Sequence, residues 1–362
     1  MTTKKRFAKL TALLLSLFLL FTVTACSNGN NKTTDASTTS NTAWTKNYKE
    51  SMKGTTINLY GVTDAIIPVL DAFTADTGIK VANLTLQNGE ILQRIKNEKD
   101  SGTVVADVWF TGGADTFINA SESGYLEKYT SVEDANIPSE MKDANGYWYG
   151  TSLTIVNWVV NKDMIAELGI QMPTKWDDLL QPQLAGLVSM PDPASSGTAY
   201  NTVSAILQTR GDATGWAYLD KLIQQVPYFT ARGSDPANNV IAGEAAIGIN
   251  AGTGDKSLEV NNPQVSIVYP TDGTGWWPQP VAILAGCKHP DEAKVFEDWL
   301  LSKRGLEEVA KAQKALVVRD DVTVPDGLLA LADIKLFPTD FKANATQRVD
   351  ILAKWNEKVS QK

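Results

Sequence analysis

The sequence predicts an α/β protein of two lobes with a ligand cleft between them. Three observations carry this. From Thr55 on, short β-prone runs alternate with segments of helical period, the order expected of parallel strands joined by right-handed helical crossovers. A long strand signal, "WYGTSLTIVNWVVN" at 148–161, separates this unit from a second α/β region of similar size. The loops after the first three strands are short, polar and glycine-bearing, at the sheet edge where such folds hold ligands. With 362 residues the chain can build two cores.

The N-terminus stands apart. Lys4, Lys5, Arg6 and Lys9 precede an apolar run from Leu10 to Val23, which ends in Val23-Thr24-Ala25-Cys26. Basic, apolar and small-residue regions in that order read as an export signal over 1–25. A cysteine at this place resembles the lipobox of bacterial lipoproteins, which implies lipidation of Cys26 and anchoring at the outer face of the cell membrane or in the periplasm. Residues 26–53 are expected to form a lipidated tether, because Ser27 to Thr42 are too polar to bury a core. The 33 basic residues less the four of the leader face 41 acidic ones, a net charge of −12. An acidic exported chain is not built for nucleic acid. Cys287, after the apolar "VAILAG", reads as a buried, inert thiol, and the lone His289 as a surface residue. One histidine and one spare thiol leave no transition-metal set, so no metal and no cofactor are expected.

In order, "TINLYG" (56–61) reads as a strand and "DAIIPVLDAFTADTG" (64–78) as a helix with Ile66, Ile67, Leu70 and Phe73 inward, Pro68 in the first turn and Gly78 as the stop. "KVANLTL" (80–86) is the next strand. "EILQRIKNEKDSG" (90–102) is a helix with Ile91, Leu92 and Ile95 inward and a Glu90–Arg94 pair. "VADVWF" and "ADTFINASESG" repeat the unit. In the second region the apolar pattern after Ser195-Ser196-Gly197-Thr198 marks a helix, "VSIVYP" (265–270) a strand, and "PVAILAG" with "PDEAKVFEDWLLSKRG" another strand–helix pair. A last helix places Val349, Leu352 and Trp355 on one face, and Trp176 in "KWDDLL" reads as structural.

"TGIKV", "EILQRIKNE", "ADVWFTGGAD", "SGYLEKY", "WDDLLQPQLAGLVSMPDPASSGTAY", "VIAGEAAIGI", "VYPTDGTGW" and "AKVFEDWLLSKRG", in this order from about Gly54 to Gly305, resemble the ferric-iron-type substrate-binding proteins of ABC importers. The resemblance implies a periplasmic-binding-protein type II fold: lobe 1 from 54–149 plus 271–320, lobe 2 from 150–270 plus 321–362, with crossing strands near Gly150 and Tyr269. It also implies a monomer that closes on a solute and docks on permease and ATPase subunits. Iron binders of this family carry two adjacent tyrosines after the "GEAALG"-like strand. Here that place is Asn250-Ala251-Gly252-Thr253-Gly254-Asp255, which offers N–H groups and a hydroxyl, suited to an anion.

The same broad family includes binders of sugar phosphates and organophosphonates, so the resemblance implies a small anionic solute bearing phosphate or phosphonate. The candidate ligand residues are Gly61, Thr63, Asn88, Gly89, Thr111, Gly112 and Gly113 on one side. On the other are Asn157, Ser195, Ser196, Gly197, Thr198, Arg232, Ala251, Gly252 and Thr253. A helix start presents free N–H groups and partial positive charge, and "SSGT" combines a cap, a glycine and a hydroxyl. A plain N-cap is the bland alternative. Trp276 and Trp277 could stack on a ligand or pack a core. Asp64, Glu90 and Asp115 read as helix-start residues, any one of which could instead pair with a ligand ammonium group. Two rival functions stay open: capture of ferric iron or an iron complex, and a sensor or adhesin without transport. Enzyme chemistry is not expected, since Ser195 and Ser196 have no histidine partner and Asp255 replaces the glycine of a phosphate loop in "GTGDKS".

Overall fold

A computed structural model describes residues 43–362; the leader, Cys26 and residues 27–42 lie outside the described residues. The chain runs β1 (Thr56–Gly61), α1 (Ile67–Thr77), β2 (Lys80–Thr85), α2 (Asn88–Asp100), β3 (Val108–Phe110) and α3 (Ala114–Glu122). It continues through β4 (Tyr149–Asn161), α4 (Lys162–Glu167), β5 (Val188–Pro191), α5 (Gly197–Arg210), α6 (Asp212–Gln225), β6 (Phe229–Thr230), α7 (Asp235–Ile241), β7 (Ile247–Gly252), α8 (Ser257–Asn261) and β8 (Val265–Val268). It ends with β9 (Trp276–Ile283), α9 (Pro290–Leu301), α10 (Lys303–Gln313) and α11 (Phe341–Ser360). The strand order is β2-β1-β3-β9-β4-β7-β5-β6, with β8 on β4.

β1 pairs in parallel with β2 and β3, as strand–helix–strand spacing requires. Along β1 and β3 the side chains alternate between two cores, Ile57, Leu59, Val108 and Phe110 on one face and Tyr60 and Trp109 on the other. β9 closes this half antiparallel to β3. β4 is buried throughout and shared: its first residues pair with β9, its later ones with β7 and β8. A second core gathers Trp158, Trp176, Val203, Leu219, Ile249 and Trp355.

Both β4 and β9 supply residues to the two cores: Leu153 and Ile155 of β4 and Trp276 of β9 to the first, Val156 and Trp158 of β4 and Trp277 of β9 to the second. β8 stays paired to the far part of β4, so the chain must turn through 270–275 before it crosses back. Val322 and Ile334 pack on the first core, and Ile351 and Trp355 of α11 on the second.

Three local expectations change. The tether is shorter than 26–53, because Ala43–Lys46 and Glu50–Met52 form 3-10 turns docked on the first half. There Met52 is buried, the Tyr48 hydroxyl donates to the Thr77 carbonyl at 2.8 Å and Asn47 donates to Asp298 at 2.8 Å. Ile67 is exposed, since Asp64–Ile66 forms a 3-10 lead-in whose tighter winding shifts the phase of α1. On α11, Val349 is 78% exposed while Ile351 and Trp355 are buried.

Candidate functional site

Between the halves lies a cleft of about 910 Å³. The loops after β1, β2 and β3 form one wall, with Thr63, Asp64, Asn88, Glu90, Gly112 and Gly113. The start of α5 and the 231–234 loop form the other, with Ser195–Thr198, Arg232 and Ala251. Thr154, Trp277 and Gln279 on the crossing strands make the floor.

The α5 wall is built from a turn that ends β5. The Ser195 and Ser196 N–H groups both donate to the Asp192 carbonyl, and the Ser196 Oγ caps the helix by accepting from Ala199 N at 3.5 Å. Ser195 Oγ donates to the Ala231 carbonyl at 3.0 Å, which binds the two loops of this wall together. Gly233 fits against the Thr198 side chain, where any Cβ would overlap the hydroxyl. Gly197, the first residue of α5, faces open space. The first turn of α5 contains no acidic residue, so the field of its free N–H groups is uncompensated. Beside it the Arg232 backbone N–H is held by Asp235 at 2.9 Å, while its guanidinium has no ion-pair or hydrogen-bond partner among the described residues.

The opposite wall is different. Thr63 caps the turn before α1 by accepting from Ala65 N at 3.2 Å, and Asp64 accepts from the Thr85 hydroxyl at 2.5 Å. Glu90 closes a capping box at α2 by accepting from Gln87 N at 2.9 Å. α3 carries Asp115 in its first turn. α2 and α3 thus carry a carboxylate in the first turn, and α1, which has none there, follows a 3-10 turn that begins with Asp64. Thr111, just before the α3 start, has φ 73°, a strained setting for a β-branched residue. It is held by Val62 N–H donating to its hydroxyl at 3.1 Å and by its own N–H on the Pro280 carbonyl. Gly112 N–H donates to Gln279 Oε1 at 2.9 Å, and Gln279 Nε2 donates to Thr154, so the floor fixes this loop.

Of the residues singled out in the sequence, Thr63, Asn88, Gly112, Gly113, Ser195, Ser196, Gly197, Thr198, Arg232 and Ala251 line the cleft. Gly61, Gly89, Thr111, Asn157, Gly252 and Thr253 do not. Gly61 is a packing glycine, with Ile66 where a Cβ would go. Gly89 faces open space outside the cleft lining. The Thr111 hydroxyl is spent on the Val62 N–H. Asn157 is buried in the β4–β7 seam, where it donates to Tyr269 at 3.4 Å, accepts from Asn250 and leaves no room for a Cβ on Gly252. The Thr253 carbonyl accepts from Leu316 N. The Glu90–Arg94 pair is not formed: Glu90 caps α2, and Arg94 pairs one turn on with Glu98 at 3.0 Å.

Missed by sequence reasoning were Thr154 and Gln279, and the lining role of Asp64 and Glu90. Of the two tryptophans, Trp277 lines the floor, whereas Trp276 packs edge-on against Phe341 and donates to the Phe337 carbonyl. Burial raises the half-buried Cys287 thiol to about 11, with Asp107 adding to the shift, so the thiolate is disfavoured. Among the described residues no helix is long and apolar enough to cross a membrane.

Residues 105–340 match the model of a family described as bacterial extracellular solute-binding protein. The chain is 33% identical over 300 residues to an uncharacterized protein of Haemophilus influenzae, covering 80% of this chain and 85% of that one. It is 24% identical over 321 residues to spermidine/putrescine-binding periplasmic protein 1 of the same organism, covering 84% and 83%. Among solved structures, the periplasmic binding protein AfuA of Actinobacillus pleuropneumoniae, with exogenous fructose 6-phosphate bound, superimposes with a TM-score of 0.79 at 27% identity, covering 85% of this chain and 99% of that one. A two-lobed fold, a polar cleft between the lobes and these likenesses agree: the chain belongs to the bacterial extracellular solute-binding proteins and serves as the solute-binding component of an ABC importer.

Proposed function

We propose that this protein captures a solute bearing a single phosphate group, with sugar monophosphates as its class, and hands it to an ABC permease by hinge closure. One observation carries the reading. Among the long helices at the cleft, α2 and α3 carry a carboxylate in the first turn and α1 follows a 3-10 turn that begins with Asp64, whereas α5 starts from a serine cap with no acid in its first turn, and Arg232, unpaired among the described residues, stands beside it. N–H groups, an uncompensated helix field and a guanidinium favour a phosphate dianion there. Ser196, Gly197, Thr198 and Arg232 hold the phosphate in this account. Asp64, Asn88 and Glu90 accept hydrogen bonds from hydroxyls at the other end. The fructose 6-phosphate bound to AfuA, a full-length relative in fold, supports the same class. Export through the leader, anchoring at Cys26 and a monomeric state complete the proposal.

The test is a thermal-shift screen of the full-length protein against fructose 6-phosphate, glucose 6-phosphate, a phosphonate, spermidine and ferric citrate. A solute bound only by the native state raises the melting temperature. Stabilisation by the sugar phosphates is expected. Stabilisation by spermidine or ferric citrate with no response to any phosphate would overturn the proposal. The lipid anchor is tested separately, by mass spectrometry of the exported N-terminus, where a free Cys26 thiol would refute it.

A further inference from the structure

α11 is fastened to the second half yet reaches the first. Asn344, in its first turn, is fully buried and receives hydrogen bonds from Ser204 and Gln208 of α5, while its backbone carbonyl accepts from the Tyr200 hydroxyl. Ile351 and Trp355 complete the attachment in the second core. One turn beyond Asn344, Arg348 points away from this knot to α3 of the first half. Its Nη1 donates to Asp115 Oδ2 at 2.8 Å, and its guanidinium lies 4.2 Å from the Tyr200 ring centroid. The Asp115 side chain is 1% exposed, and its other oxygen has no partner among the described residues, so Arg348 is the only cation paired with it there. At the far end of the same helix pair, Lys342 stands 3.8 Å from Glu122. The two contacts run in opposite order along the two helices, so α3 and α11 lie antiparallel across the halves.

Both ends of the Arg348 bridge lie next to the cleft walls. Asp115 is two residues past Gly113, and Tyr200 two residues past Thr198. We infer that Arg348 is a positioning residue for solute capture: its bridge between Asp115 and Tyr200 ties the α3 and α5 starts together across the cleft and favours its closed form. Arg348 does not touch the solute. Opening the halves at α3 and α11 exchanges a part-buried, stacked ion pair for two hydrated charges, and the buried Asp115 carboxylate loses its one cation among the described residues. The bridge thus weights the solute-free ensemble towards closure, and a population shift of this kind raises affinity without any new ligand contact. The inference rests on the proposed cleft as the capture site, but not on the identity of the solute.

The test uses the full-length chain with both native cysteines changed to serine and spin labels at Asp71→Cys on α1 and Lys221→Cys on α6, both exposed positions in different halves. Without solute, Arg348→Met is expected to lengthen the inter-label distance, Asp115→Asn to do the same, and the double variant to add nothing to the larger single effect. Arg348→Lys, which keeps charge but not the stacked fork, is expected to fall between. With fructose 6-phosphate as the probe, Arg348→Met binds about tenfold more weakly, while the saturated distance matches the parent. An unchanged solute-free distance in the folded Arg348→Met and Asp115→Asn proteins overturns the inference, as does an effect of Arg348→Met that Asp115→Asn does not share. If fructose 6-phosphate binds neither parent nor variants, the sugar-phosphate reading fails, and the solute-free distances still decide the role of Arg348.

Discussion

The two walls of the cleft use the same device, helix starts aimed at a ligand, with opposite electrostatic outcomes. On the first wall Asp64, Glu90 and Asp115 sit in or beside the first turns and consume the fields of their own helices. On the second wall α5 begins Gly197-Thr198-Ala199 with a serine cap and no acid. Helix starts in a cleft therefore do not each make an anion site. An acid in the first turn, or in the turn that leads into it, decides whether a start is self-neutralised or available, and that residue is readable in a sequence.

The largest effect is expected from Gly197→Asp, which gives α5 the carboxylate that the starts of α2 and α3 have. No atom lies within 4 Å of the new Cβ, and acid suits the helix start, so the melting temperature should hold. Titration calorimetry should show fructose 6-phosphate affinity falling by about a hundredfold or more, since a charge is set against the phosphate at short range. Retained affinity would place the phosphate elsewhere. Arg232→Ala comes next. It removes a charge-assisted contact of about 1.5–3 kcal/mol, so affinity should fall by about ten- to a hundredfold with stability unchanged. Ser196→Ala strips the cap and should cost about 1 kcal/mol of stability in denaturant titration, with weaker binding as well.

The smallest effect concerns the first half away from the cleft. Glu297 is buried, and burial together with Asp298 pushes its carboxyl well above the usual range. The folded state then binds this proton more tightly than the unfolded state, so its contribution to stability falls as pH rises from the ordinary carboxylate range towards the raised value. Glu297→Gln should raise the melting temperature near pH 7.5, with the gain shrinking as pH falls towards 4.5. A constant gain across that range would show that Glu297 is not the titrating group.

The fold was largely legible because periodicity reports burial. Strand–helix alternation located β1 to α3, and the long apolar run located β4. The errors share a cause. Ile67 and Val349 fit an ideal helical wheel, but a 3-10 lead-in shifts the face of α1, and α11 buries the face of Asn344, Ile351 and Trp355 and leaves Val349 outside. Within the site, glycine-bearing loops pointed to the right corners, yet a glycine is also used for packing, as at Gly61, or for a crowded seam, as at Gly252. Gln279 and Thr154 were hidden because they lie on crossing strands, where alternation does not say which face fronts the cleft. Thr111 illustrates a third case: a hydroxyl in a cleft loop that serves the backbone of the neighbouring loop.

A crystal structure with fructose 6-phosphate bound measures the position of the phosphate directly. Phosphate oxygens are expected about 3 Å from the backbone N–H groups of Gly197 and Thr198, with the Arg232 guanidinium in contact and the sugar hydroxyls turned to Asp64 and Glu90. A phosphate seated instead over the starts of α2 and α3, with the sugar against α5, would contradict this placement.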